Sequence, residues 1–338
     1  MPRIQQPLAV RPRDADGRAT ESFRHPKLLP HAPVIRRGDQ EFQVGLDPST
    51  ALIFTGTGIG ELLAALDGSQ TLAGVRSAAR RAGLAVGQSD RALGLLTSAG
   101  LLGDRPSAAA PGILSGRRVR LIGAGPVGHQ VARLLVASGI GELHIYDDNP
   151  PELDLYPNAG VLGTRSESLR AAFADRSSGA VTSLSHWSRP EGSAIDLTIV
   201  AADGPETDRA ITDHLVRLDR PHLVIRSLGN GACVGPLVLA GRTSCLRCHD
   251  LTRRDADRQW PTVLEQLSRV RLEMPEAVAA WAAAYASSQA LAFLNGAAPE
   301  LAGATAELLA PDFTSRLRFW PAHPNCGCSW LSPTEWGA

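Results

Sequence analysis

Four cysteines in two close pairs, Cys245-x-x-Cys248 and Cys326-x-Cys328, are the sharpest chemical signal in the chain. Tetrahedral zinc takes four thiolates, and two ligands donated from one turn need only short spacing, so the set predicts a closed structural site without an open position for water. His249 and His323 stand next to the pairs as spare ligands should one thiolate fall short, whereas Cys233, in an apolar stretch, reads as a small buried residue. The second signal is the turn Gly123-Ala124-Gly125-Pro126-Val127-Gly128, which follows an apolar strand and opens a helix. Gly123 permits the tight turn, Gly125 lets backbone approach a phosphate, Gly128 allows close helix packing, and the helix N-terminus offers unpaired N–H groups to an anion. Asp147, at the end of the next strand, is placed to accept from ribose hydroxyls. Together these residues point to a nucleotide, handled either by a dinucleotide oxidoreductase or by an adenylate-handling enzyme.

Such a turn needs strands and helices in alternation. The pattern predicts strands at 118–122, 142–146, 195–201 and 222–226, and helices at 129–138 and 206–218, hence an α/β fold around a parallel sheet with right-handed crossovers. The uncharged, alanine-rich run 277–299 is too weakly apolar for a membrane span and predicts a buried helix. Residues 33–54 have a different grammar: Val34-Ile35-Arg36, a turn at Gly38-Asp39 and alternation over 41–46 predict a hairpin with polar and apolar residues on opposite faces. Three helices follow, at 58–66, 72–82 and 89–99, punctuated by Asp67-Gly68, Thr71, Gly83, Ser89-Asp90 and Gly100. Strands plus three short helices form a winged-helix pattern. The expected organisation is a tail at 1–24, a winged-helix α+β domain at 25–103, a Pro/Ala/Gly-rich linker at 104–116 and the α/β domain at 117–338.

Composition narrows the function further. The 34 Lys and Arg residues balance 34 Asp and Glu, which argues against a polyanion binder or a polybasic membrane reader. Lys27 is the only lysine, so lysine chemistry is closed to everything after the N-terminal segment. The five cysteines all lie in the last third, unlike a secreted disulfide framework; with no apolar stretch after the basic start, a cytoplasmic protein lacking a signal peptide is expected.

The run Gly139-Ile140-Gly141-Glu142-Leu143 ending in Tyr146-Asp147-Asp148, the strand closed by Asp203 with Arg209 beyond it, the stretch from Gly229 to Pro236 leading to the first cysteine pair, and the late segment Ser288 to Leu294 occur in an informative order. In that order they resemble the ubiquitin-activating-enzyme-like family of ThiF and MoeB types, over residues 117–338. The resemblance implies a Rossmann-like adenylation domain, ATP with Mg as substrate, Asp203 facing the phosphates and their metal, a structural zinc on Cys245, Cys248, Cys326 and Cys328, and a homodimer. This sequence departs from the family pattern where charge is needed: Asn149 replaces an acid, Asn158 stands at the expected arginine, and Arg165 or Ser166 occupies the lysine position. Positive charge would then come from Arg165 or Arg209, although an arginine fork is not a lysine point charge. Segment 251–274, with Trp260-Pro261 as an anchor, is either a mobile lid over the site or a salt-bridged surface helix.

The N-terminal grammar resembles PqqD-type elements, which bind an extended leader peptide along a sheet edge in modified-peptide biosynthesis; DNA binding is the alternative for a winged helix. These resemblances imply a ThiF-like protein that binds a precursor or leader peptide and supports ATP-dependent activation or cyclodehydration, with a partner cyclodehydratase and a degenerate or intact adenylation site. The alternatives are an adenylyltransferase acting on the C-terminus of a carrier protein and, third, an NAD-dependent oxidoreductase. The nucleotide-binding set is Gly123, Gly125, Gly128, Asp147, Arg165 and Asp203; no catalytic residue is assigned.

Overall fold

The computed structural model describes residues 23–104, 113–152, 154–157, 163–174, 180–189 and 194–328. Almost all of the expected tail, most of the linker, and Asn158 lie outside these residues. The chain divides into two compact units, Met1–Ala110 and Pro111–Ala338.

In the first unit, β1 (Pro26–Leu28) pairs antiparallel with β5 (Leu102–Asp104), and β2 (Val34–Arg36), β3 (Glu41–Val44) and β4 (Leu52–Thr55) form an antiparallel meander in that order. The hairpin forms at the expected residues, but β2 is exposed at all three positions, so this arm does not show the expected division into a polar and an apolar face. Helices α1 (Ile59–Ala64), α2 (Leu72–Arg81) and α3 (Val86–Ser98) supply Leu62, Leu63, Val75, Ala79, Leu93 and Leu96 to a core closed by Val44 and Leu101. Thr71 caps α2 by accepting from the Gly74 N–H, as its position before the apolar run predicts. Helix α3 starts before Ser89, because the Gln88 carboxamide accepts from the Ala85 N–H and so satisfies a donor left free by the first turn. Strands β1 and β5 escape sequence reading since three residues carry no usable period.

The second unit is a three-layer α/β fold around an eight-stranded sheet ordered β13-β12-β11-β10-β9-β6-β7-β8. Strands β6 (Arg118–Ile122), β7 (Glu142–Tyr146), β8 (Ala180–Ser183), β9 (Leu197–Ala201) and β10 (His222–Ser227) run parallel. Strands β11 (Gly231–Val238), β12 (Ala304–Leu309) and β13 (Thr314–Phe319), which the sequence reading did not include, continue antiparallel beside the expected parallel strands. The antiparallel part follows from a short connection: β10 and β11 are joined by three residues, far too few for the crossover a parallel neighbour needs.

Helix α4 (Pro126–Ala137) begins at the proline, whose fixed φ suits the first helical position. It packs with α9 (Glu276–Leu294) in the main core, where Val131, Leu135, Ala279, Ala282, Ala286 and Ala290 are buried against Leu121, Ile145 and Ile199. Helix α9 is long and apolar enough to cross a membrane by length and composition, yet its alanines serve this core as the sequence predicts. The other sheet face carries α6 (Arg209–Arg217), whose Ile211 and Leu215 meet Val200, Val224 and Leu246. Helix α5 (Arg165–Ala172) is capped by Thr164 and Glu167; α7 (Leu246–Ala256) and α8 (Trp260–Leu267) occupy the stretch left open between lid and surface helix.

Candidate functional site

The chain runs outward from β6 through β7 to β8, then returns to lay β9 on the other side of β6 and β10 beyond it. The carboxyl ends of β9, β6 and β7 therefore meet where the strand order reverses, the place at which open α/β sheets bind ligands. The glycine turn leaves β6, Asp147 follows β7 and Asp203 follows β9 by two residues.

Gly123 adopts φ +98°, and any side chain there would collide with the carbonyl oxygen of Ala201. A side chain at Gly128 would collide with the carbonyl oxygen of Gly123, so this glycine closes the turn onto the helix as expected. Gly125 shows more than the sequence reading anticipated: the group pressed against it is the carboxylate of Asp203, which a Cβ would displace. Asp147 is buried, and its Oδ2 accepts from the Ala124 N–H at 2.7 Å while Oδ1 accepts from Asn149 N and Nδ2. Here the acid acts first on protein, holding the glycine turn to the end of β7. Tyr156 completes the clasp by donating from its hydroxyl to the Ala124 carbonyl, and burial pushes its pKa up.

Between the candidate lysine-position residues the geometry selects Arg165. It opens α5 with its guanidinium buried among three carboxylates: Nε and Nη2 donate to Glu152, and Nη1 donates to Asp203 and, at 3.3 Å, to Asp147. Burial opposes its charge, but Asp203 and Asp147 outweigh that and raise its pKa. Ser166 instead exchanges hydrogen bonds with Thr164 and Ser183. Arg209, the other expected cation, is committed elsewhere: it grips Asp250 through Nε and Nη2 at 2.7 and 2.9 Å and Glu206 at 2.7 Å.

Two cavities flank this cluster. One, of about 270 Å³, is lined by Ile122, Tyr146, Asp148, Val200, Thr207 and Ile211 among others. The second, of about 320 Å³, opens over Pro126, Val127, Glu152, Arg165, Ser227 and Met274. Asp203 and Arg271 line both. Arg271 was not found from sequence; it lies on the 268–275 connection between α8 and α9, donating to Asn149 Oδ1 at 2.8 Å and pairing with Asp203 at 3.4 Å. The only available signal was its position in the segment read as crossing the site. In that segment α7 is tied down by Asp250, Arg253 and the Trp260 indole, as the salt-bridged-helix reading has it, and residues 268–272 lie across the strand end, with Leu272 N donating to the Asp203 carbonyl at 2.9 Å.

Away from the cavities, the four expected cysteines converge, all sulfurs lying within 4.8 Å of one another. The closest pairs, Cys245 with Cys326 and Cys248 with Cys328, are 3.6 and 3.3 Å apart. Thiolates at about 2.3 Å from a tetrahedral zinc stand about 3.8 Å from each other, so the set fits such an ion. Neither spare histidine joins them: His249 stacks on Trp320 with centroids 4.1 Å apart, and His323 bonds Asp255. Cys233 is buried in β11, its sulfur accepting from Arg226 at 3.0 Å.

The family model described as the ThiF family matches residues 112–329. The fold is similar to that of E. coli MccB crystallised with ATP, with a TM-score of 0.69 at 17% identity over 90% of this chain and 99% of that one. It is equally similar to the microcin C7 biosynthetic enzyme MccB in complex with N-formylated MccA, at 0.68, 17%, 90% and 99%. PaaA gives 0.63 at 17% identity over 86% of this chain and 99% of its own. No curated protein sequence matches the chain.

Proposed function

The chain belongs to the ThiF family, and on that premise we propose that it binds ATP at the glycine turn and activates a carboxyl or amide group of a precursor peptide during the biosynthesis of a modified peptide. The observation that carries this reading is the convergence of Gly123, Asp147, Arg165 and Asp203 on two adjoining cavities that share Asp203. One cavity is suited to the nucleotide and the other to the approaching peptide, so their shared edge is where an acceptor oxygen meets the α-phosphate. Asp203, partly exposed at its strand end, is the carboxylate that would hold the nucleotide's divalent cation, which supplies charge neutralisation on the phosphates. The likeness to MccB, solved with ATP and with MccA, supports the class of chemistry.

Four further assignments belong to this reading. Zinc on the cysteine cluster would fasten the start of α7 to the segment after β13. A leader peptide would dock in the first unit, where β4 pairs, among the described residues, on one side only, with β3, and a cavity of about 690 Å³ runs between it and α3, lined by Ile53, Phe54, Thr55, Arg91, Ala92 and Leu95. An extended peptide can pair with that edge by main-chain hydrogen bonds while its side chains meet Leu95 and Arg91. A homodimer is the third assignment, carried by the family resemblance. A cytoplasmic setting is the fourth, in keeping with a cluster of reduced cysteines.

The test is pyrophosphate exchange into ATP, measured with the full chain, Mg²⁺ and candidate precursor peptides. Exchange that appears only with a peptide is the expected outcome. Absence of both exchange and ATP binding would favour a degenerate scaffold, the reading to which the lack of any lysine after Lys27 also lends weight.

A further inference from the structure

Resting on the nucleotide-site reading above, we infer that Arg271, carried on the connection between α8 and α9, is the phosphate-binding cation of this site. The two arginines beside Asp203 are not equivalent. Arg165 has Nε, Nη1 and Nη2 all engaged by carboxylates and a side chain only 7% exposed. Three negative partners already claim its charge, so a polyphosphate gains little from it. Arg271 is 63% exposed, its contact with Asp203 is long at 3.4 Å, and its other partner is the neutral carboxamide of Asn149. The remaining arginine on the cavity walls, Arg269, pairs with Glu265 on the outer surface of α8 and its connection.

The backbone around Arg271 is fixed while its side chain is exposed and held only by Asn149 and the long contact with Asp203. Leu272 N donates to the Asp203 carbonyl, and the Val270 carbonyl lies so close to Gly204 that any side chain at 204 would collide with it. The guanidinium is thus delivered to the edge shared by both cavities and needs only side-chain rotation to exchange Asp203 for a phosphate oxygen. Its surroundings permit that exchange. The groups facing it are Asp203 and Asn149, with Glu152, Arg165 and Glu273 on the wall of the same cavity. In the transfer itself a peptide carboxylate oxygen bonds to the α-phosphorus, the bond from that phosphorus to the bridging oxygen breaks, and pyrophosphate departs with the electron pair. Arg271 is placed to balance that charge, in a chain whose only lysine is Lys27.

The experiment is titration of ATP·Mg²⁺ and of AMP into the full chain and into Arg271→Ala and Arg271→Lys, by calorimetry, with thermal unfolding as a check on folding. Arg271→Ala is expected to weaken ATP by roughly 10- to 100-fold, the worth of a hydrogen bond to a charged group, and to leave AMP within about 2-fold if only the β- and γ-phosphates are read. Arg271→Lys should recover part of the loss. Unchanged ATP affinity in Arg271→Ala, or equal weakening of AMP and ATP, would overturn the inference while the nucleotide reading stands. Wild-type protein that binds neither nucleotide overturns both.

Discussion

The second unit holds two clusters of arginine and carboxylate that look alike in composition and differ in stoichiometry and access. Around Glu206, one acid faces three arginines: Arg226 at 2.8 Å, Arg209 at 2.7 Å and Arg253 at 3.1 Å, with Asp250 behind Arg209. Glu206 and Arg226 have side chains 4% and 2% exposed; Glu206 borders the first cavity, but its carboxylate is claimed by arginines, and Arg226 lines neither of the two cavities. Burial raises the Glu206 pKa on its own, but the arginines outweigh it and hold the group below its ordinary value. Around Arg165 the count is inverted, with one arginine facing Asp147, Glu152 and Asp203, two cavities at its edge and the exposed Arg271 leaning in. A cluster sealed by its own ion pairs, with one acid shared among three arginines, stabilises the fold. An open cluster with excess negative charge and an exchangeable cation is arranged for a ligand.

The comparison breaks most readily at its sealed end. Glu206→Gln leaves Arg226 buried without its carboxylate and should destabilise the second unit by about 3–5 kcal/mol, read as a lowered urea midpoint; an unchanged midpoint would remove the distinction between the clusters. Asp203→Asn tests the open end. Its side chain is 23% exposed, so the urea midpoint should hold while pyrophosphate exchange falls about 100-fold or more. Loss of stability without loss of exchange would reverse the assignment.

Protonation gives a smaller, sharper contrast. Burial pushes the His222 pKa down from 6.5 to about 4, with the Arg220 carbonyl opposing weakly. The unfolded chain then takes up the proton first. Stability is complete above pH 6.5 and is lost as pH falls from there toward about 4. At pH 5 the loss should be about 2 kcal/mol relative to pH 7, and His222→Asn should abolish that part of the slope in urea titrations at the two pH values. Glu206 acts later in the same direction: its folded pKa lies below 4.5, so its contribution is present above 4.5 and lost only as pH falls through the lower folded value.

Much of this was legible in the chain. Strands β6 and β7 run over the residues the sequence marks: Val119, Leu121 and Ile122 supply buried positions of β6, and β7 alternates buried Leu143 and Ile145 with the partly exposed Glu142, His144 and Tyr146, a period of two that is readable from the chain. Residues 126–128 were read as part of the turn rather than as helix, since Gly125-Pro126 resembles an interruption until the proline is recognised as a first helical residue. Each cysteine pair was legible because two ligands from one turn is a local property, while their meeting across 80 residues of chain is the work of the fold. The choice between Arg165 and Arg209 was left open by the sequence: nothing near Arg209 in the chain reveals that Asp250, on another helix, will take its guanidinium.

By itself the sequence determined the glycine turn, the alternation that makes an α/β sheet, the thiolate set and the confinement of lysine to position 27. All of these follow from backbone sterics, side-chain period or simple composition, which act over a few residues. The tertiary structure alone decided which charges meet. It set Asp203 against Gly125, enclosed Arg165 in carboxylates and brought Arg271 to Asn149 across 122 residues of chain. Partner choice of that kind depends on which segments the fold superposes, and a single side chain reaching across a cavity leaves no periodic trace in the sequence that carries it.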